Sequence, residues 1–214
     1  MTRSSIVRWL RPAEIALCVI GLSLLGGAFA AIVHTRVYQA RQGRTFSDME
    51  RRATASTYGL ESPPVLASTG PSMLAPDADP LVLGRIEIPR IGVSAIVREG
   101  DDDSTLAVAV GHIPGTARPG DRGNMALAGH RDSFFRALRH IQVADVIHVR
   151  ALGRGYEYRV DSTEVVRAEE TRVLDPTGDA VLTLVTCYPF EWVGHAPNRF
   201  IVRARLSLLR AAPP

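Results

Sequence analysis

The sequence predicts a mainly β domain, a closed barrel with a few short helices, preceded by one N-terminal transmembrane helix. Three observations predict this. A single uncharged apolar run, Ile15 to Val33, lies near the N-terminus. From Leu81 onward, short apolar runs alternate with clusters of turn-forming residues. Those runs are mostly of strand length, too short for a typical globular helix. Many short strands with few helices are the pattern of a sheet that closes on itself and so loses its edges.

The first element is IALCVIGLSLLGGAFAAIV. At 1.5 Å rise per residue, about 20 such residues span a hydrocarbon core. Arg3, Arg8 and Arg11 precede it, and Trp9 suits the membrane interface. The run exceeds the ~7–15 residues of a signal-peptide core, and no clear small-x-small cleavage site is followed by an acidic or neutral mature start, so it reads as a retained anchor. Residues 1–14 are then expected on the cytoplasmic side. Arg36, Arg41, Arg44, Arg51 and Arg52 follow the span, so the arginine count does not set the orientation.

Residues 34–80 are read as a juxtamembrane helix, Tyr38 to Thr54, followed by a flexible linker. The stretch ESPPVLASTGPSMLAPDADP has prolines that break helix and sheet, and few large apolar residues to bury. Residues 81–214 are the expected folded domain. Its predicted strands are Leu83 to Ile88, Ser94 to Val97, Met125 to Ala128, Val146 to Val149, Tyr156 to Val160, Val181 to Val185 and Phe200 to Leu206. Pro89, Gly92, Pro114, Gly115, Pro119, Gly120, Gly153 and Gly155 punctuate them. Two short helices are expected, Ser104 to Val110 and Ser133 to Arg139, capped by Ser104 and by Asp132 or Ser133.

The composition narrows the function classes. Of the 214 residues 46% are hydrophobic and 22% charged, which favours a folded chain. A formal net charge of +3 is too small to point to nucleic acid. Every basic residue is arginine, which excludes any mechanism with an internal lysine as Schiff base or general base. The acidic run Glu99 to Asp103 lacks the ligand spacing of an EF-hand loop and reads as a solvated turn or helix start. No metal or cofactor is expected. The two cysteines, Cys18 in the apolar run and Cys187 far downstream, are not expected to pair. Cys187 is then a free thiol in a domain expected outside the cytoplasm, where thiols oxidise readily.

In LTLVTCYPF, Val181, Thr183, Val185 and Cys187 share one strand face and Leu182, Leu184 and Thr186 the other. Pro189 stops the pairing, which leaves Cys187 at a strand end, where a reactive side chain is reachable and rigidly backed. Taken alone, a cysteine is more often a small core residue. A nucleophilic thiolate needs cationic company. His34 borders the apolar run, and His140 and His148 flank a strand. His112 lies in the turn-rich GHIPGT, and His130 ends the apolar run NMALAGH; spacing alone favours His130 over His112 only slightly. Arg199 opens the last strand, twelve positions after Cys187, and a turn-rich connection suits its return beside that residue. An arginine there is suited to a developing oxyanion or a substrate carbonyl.

The segments AGHRDSFFRALRHI, TLVTCYPF and PNRFIV together resemble the sortase family: a His after a short strand, a TLxTC strand, and an Arg opening the next. With IPGTARPGDRGN ahead of the histidine segment, the pattern is most similar to class D sortases. It covers about Leu83 to Leu209. The resemblance implies an eight-stranded sortase-type barrel, with His130, Cys187 and Arg199 as the catalytic set. It also implies a membrane-anchored cysteine transpeptidase, with proteins carrying a C-terminal LPxTG-like sorting signal and an envelope amine as its partners. Thr186, Trp192 and His195 are candidate substrate-binding residues. Glu191 lies in the same loop, and Thr183 is expected simply to suit its strand. Two alternatives stay open: a tethered cysteine peptidase that uses water, and a non-catalytic peptide-binding envelope protein.

Overall fold

Alternation builds the wall of the domain. In β1 (Val82–Ile88), Gly84, Ile86 and Ile88 are buried and the residues between them are half-buried. In β5 (Val146–Ala151) the buried set is Ile147, Val149 and Ala151. A period of two puts one face of each strand into a common core and leaves the other toward solvent. The structure, a computed structural model, describes residues 3–57, 79–151 and 154–211.

The remaining strands are β2 (Val93–Glu99), β3 (Val110–His112), β4 (Gly123–Ala128), β6 (Arg154–Arg167), β7 (Ala180–Tyr188) and β8 (Asn198–Ala211). They close into a barrel in the order β1-β2-β3-β4-β7-β8-β6-β5. Neighbours are antiparallel except β2 with β3 and β4 with β7. The barrel is filled by Ile86, Ile88, Met125, Leu127, Phe135, Tyr158, Leu182, Leu184 and Val202, all essentially inaccessible. Burial pushes the Tyr158 phenol up to about 12. A smaller cluster of Val166, Val173 and Ile201 packs outside the wall.

All seven expected strands are present, several of them longer than expected. The eighth, β3, begins at Val110, the last residue of the helix expected from Ser104. The helix there, α2, is one turn (Asp103–Leu106), and its N-cap is Asp102 rather than Ser104: the Asp102 carboxylate accepts from the Ser104 and Thr105 N–H groups. The helix gives way because Val110 pairs with Val97 instead. The second expected helix is a 3-10 turn, Arg136–His140. It follows Phe135 without a side-chain cap, so neither Asp132 nor Ser133 serves as one.

The long helix α1 covers Arg3–Thr57, and the chain divides into two units, one to Tyr38 and one from Gln39 onward. In the first, Leu22, Leu25 and Phe29 are exposed, and the helix is long and apolar enough to cross a membrane. In the second, the end of α1 lies on the barrel wall. Phe46 is buried, and Arg85 packs so near Gly43 that a Cβ there would meet its guanidinium at 2.3 Å. The Gln39 side chain accepts from Ile96 N–H at 2.9 Å and donates to the Val108 carbonyl at 2.6 Å. Much of the expected linker, residues 58–78, lies outside the described residues.

Candidate active site

Strand β7 carries Leu182 and Leu184 into the core, so Thr183, Val185 and Cys187 face outward. That parity is the one expected from LTLVTC. Cys187 is half-buried near the end of β7, and Arg199, also half-buried, lies directly opposite it as its ladder partner on β8. Directly paired residues share a face, with Cβ atoms roughly 4.5–5.5 Å apart. The Arg199 guanidinium donates through Nη1 to the carbonyls of Ala196 (3.2 Å) and Asn198 (3.0 Å), which holds it at the mouth of the β7–β8 loop.

His130 comes from the other side of β7. In the parallel β4–β7 pair, Ala128 stands against Val185. The pairing persists one residue beyond β4: the Gly129 N–H donates to the Val185 carbonyl at 3.1 Å. His130 follows two residues past Ala128, beyond the end of β4 that adjoins the Cys187 end of β7, and it is half-buried. The His130 carbonyl accepts from the Ser133 and Phe135 N–H groups, turning the chain back and seating Phe135 on Gly129. A Cβ at 129 would stand 2.7 Å from the Phe135 ring, so only glycine allows this turn.

Thr186 is buried, and its hydroxyl donates to the Gly129 carbonyl at 2.7 Å, so it braces the residue before His130. Thr183 is buried as well and donates to Asn124, whose amide holds the carbonyls of Val173 and Asp175. Trp192 and His195 are exposed on the loop between Cys187 and Arg199, joined by an indole N–H bond to the His195 carbonyl at 3.0 Å. His112 is buried away from this face, its ring nitrogens against Glu99 (3.2 Å) and the Ala117 carbonyl (2.9 Å). In the acidic run Glu99 meets His112 and Asp102 caps α2. Arg131 received no reading from the sequence, although it follows His130 directly; it donates to the carbonyls of Pro189 and Gly194.

A thiol, an imidazole and a guanidinium at one end of three adjacent strands form a constellation suited to acyl transfer. Comparison with known proteins agrees. Residues 86–207 match the model of the sortase domain family. Sortase D of Bacillus subtilis (strain 168) is 32% identical over 120 residues, which is 56% of this chain and 61% of that protein. The chain thus spans less than two thirds of that relative. Sortase A of Listeria monocytogenes is 29% identical over 189 residues, covering 83% of each chain. The solved structure of the Clostridium perfringens sortase D5 transpeptidase superposes with a TM-score of 0.57 at 26% identity, covering 78% of this chain and 98% of that one. The barrel runs from Val82 to Ala211 and the family match covers residues 86–207 of it, more than half of the chain, so the chain belongs to the sortase family.

Proposed function

We propose that the protein is a membrane-anchored, class D-like sortase that cuts an LPxTG-like sorting signal after its threonine and joins the product to an amine. The Cys187–Arg199 ladder pair, with His130 just past the end of the neighbouring strand β4, supports this reading. In the proposed reaction the Cys187 thiolate adds to the scissile carbonyl carbon. Arg199 stabilises the oxyanion that forms. As the C–N bond breaks, protonated His130 gives its proton to the leaving amine, and a thioester to Cys187 results. An incoming amine then loses a proton to neutral His130 and attacks the thioester. Its collapse returns the thiolate and releases the new amide. The exposed apolar helix before Tyr38 supports the anchor, with residues 81–214 outside the membrane. The expected partners are proteins bearing a C-terminal sorting signal and an amine of the cell envelope.

Incubating the protein with an LPxTG-type peptide and triglycine, then weighing products and protein, tests this. The expected results are a thioester adduct on Cys187 and a triglycine-joined product. Cys187→Ala should show neither while keeping its circular dichroism. Arg199→Lys should lower kcat by roughly 10²-fold or more, because one ammonium cannot reproduce the planar fork. A fully active Cys187→Ala protein would refute the reading. Hydrolysis alone with every amine tried would replace it with a cysteine peptidase.

A further inference from the structure

The loop between Cys187 and Arg199 begins on an aromatic cluster: Phe190 meets Tyr188 and Phe200 edge-on, with centroids 5.9 and 5.4 Å apart. Beyond Phe190 the described loop residues through His195 are exposed, and Val193 at its tip is 94% exposed. Such a loop has little of its own to hold it in one place. What holds it comes from the segment that follows His130. The Arg131 guanidinium donates through Nη1 to the Pro189 carbonyl at 3.3 Å and through Nη2 to the Gly194 carbonyl at 2.9 Å. The two carbonyls bracket the exposed tip, Glu191 to Val193. Gly194 has φ +90°, a conformation that favours glycine, so the chain can turn there. A second arm comes from Arg139, which pairs with Glu191 and stacks 5.5 Å from the centroid of Phe190.

We propose that Arg131 is a positioning residue that sets peptide selectivity, by fastening the loop of Trp192, Val193 and His195 to the segment bearing His130. The inference rests on the transpeptidase reading and deepens it. Arg131 lies one residue from His130, so a peptide seated against the loop is referred to the same backbone that carries the general acid. A planar fork suits this task, because its two nitrogens reach two carbonyls at once. Loss of the fork frees the loop and weakens peptide binding while the Cys187–His130–Arg199 geometry stays as it was.

The test uses the full-length protein in detergent micelles, a panel of LPxTG-type peptides varied one residue at a time, and triglycine as acceptor. Reaction of Cys187 with iodoacetamide, read at that residue by mass spectrometry, reports the thiol separately. Arg131→Ala should raise KM roughly tenfold, the scale of a charge-assisted hydrogen bond. Its kcat and alkylation rate should stay within about threefold of wild type, an allowance well inside that scale. Selectivity across the panel should flatten, and Arg131→Lys should not restore it. If Arg131→Ala does not fold, Arg139→Gln, which releases the second arm, should shift KM and selectivity in the same direction. Unchanged KM and selectivity in a wild-type background that turns over would overturn the role given to Arg131 and leave the transpeptidase intact. So would a fall in kcat and alkylation at constant KM, which would place Arg131 in the chemistry itself. A wild-type protein that acylates with no peptide of the panel would overturn both readings.

Discussion

Thr186 precedes the proposed nucleophile, yet its hydroxyl points into the barrel and binds the Gly129 carbonyl, one residue before His130. This buried side-chain bond adds to the β4–β7 ladder, at the residue that leads into His130. Thr186→Val keeps the shape but leaves that carbonyl without its donor, a cost of about 1–3 kcal/mol. We expect a lower thermal midpoint and a lower kcat, both restored by Thr186→Ser, with KM changed little. Equal activity of the valine and threonine forms would count against the brace. The two histidines the sequence left close together part on burial. His112 is 2% exposed and held on both ring nitrogens, whereas His130 is half-buried just past the end of β4. Adjacent-strand register separates them, and one residue's neighbours in sequence say nothing about that.

At the scale of elements, β3 is the weak point of the wall. It offers three residues, which pair with Val97 to Glu99 and reach no further. Beyond it, the Ile96 N–H and the Val108 carbonyl are bridged by the side-chain amide of Gln39, which takes the place of one more peptide unit in the ladder. The end of α1 is therefore part of the sheet's hydrogen bonding as well as packed on it. Gln39→Leu removes both bonds, and we expect a loss of about 1–3 kcal/mol with faster amide exchange at Ile96. Unaltered exchange there would show that water replaces the amide at no cost. The long pair β6–β8 was only half visible in sequence. Residues 161–167, DSTEVVR, are mostly polar, and the register shifts between Val160 and Ser162. Their pairing with Asn198 to Arg203 depends on a partner far along the chain rather than on an apolar period of their own.

Over the whole molecule, arginine-rich ion pairing sets how the fold meets acid. The Arg90 guanidinium hydrogen-bonded to Asp145 holds that carboxyl below the usual carboxylate range, and Arg90 also donates to the His140 carbonyl. The hydroxyls of Ser104 and Thr105 likewise hold the exposed Asp102 below it. A carboxylate whose folded pKa is depressed lends stability that is complete above its unfolded value, about 3.9, and is lost as the pH falls below it. Thermal unfolding in micelles should therefore show a midpoint that drops below about pH 4. Asp145→Asn should lower the midpoint at neutral pH and shallow that acid limb. A parallel downward shift at every pH would mean that Asp145 acts by shape alone. Glu50, a buried residue of α1, runs the other way: burial raises it, so its folded form gains relative stability as it takes up a proton.

The sequence by itself determined the apolar helix, the strand parity of LTLVTC, the seven strands with an apolar core of their own, and the three chemical groups. Each is written in local period or residue type, which burial of one face enforces whatever the topology. The tertiary structure alone decided which strands are neighbours, that β3 exists, and that Gln39, Thr186 and Arg131 bind backbone at distances of 57 to 69 residues along the chain. Those contacts follow from barrel closure, which brings polar side chains to carbonyls and N–H groups that no pattern in the sequence marks. A polar residue carries its donors wherever it stands, but only the closed sheet supplies the partner.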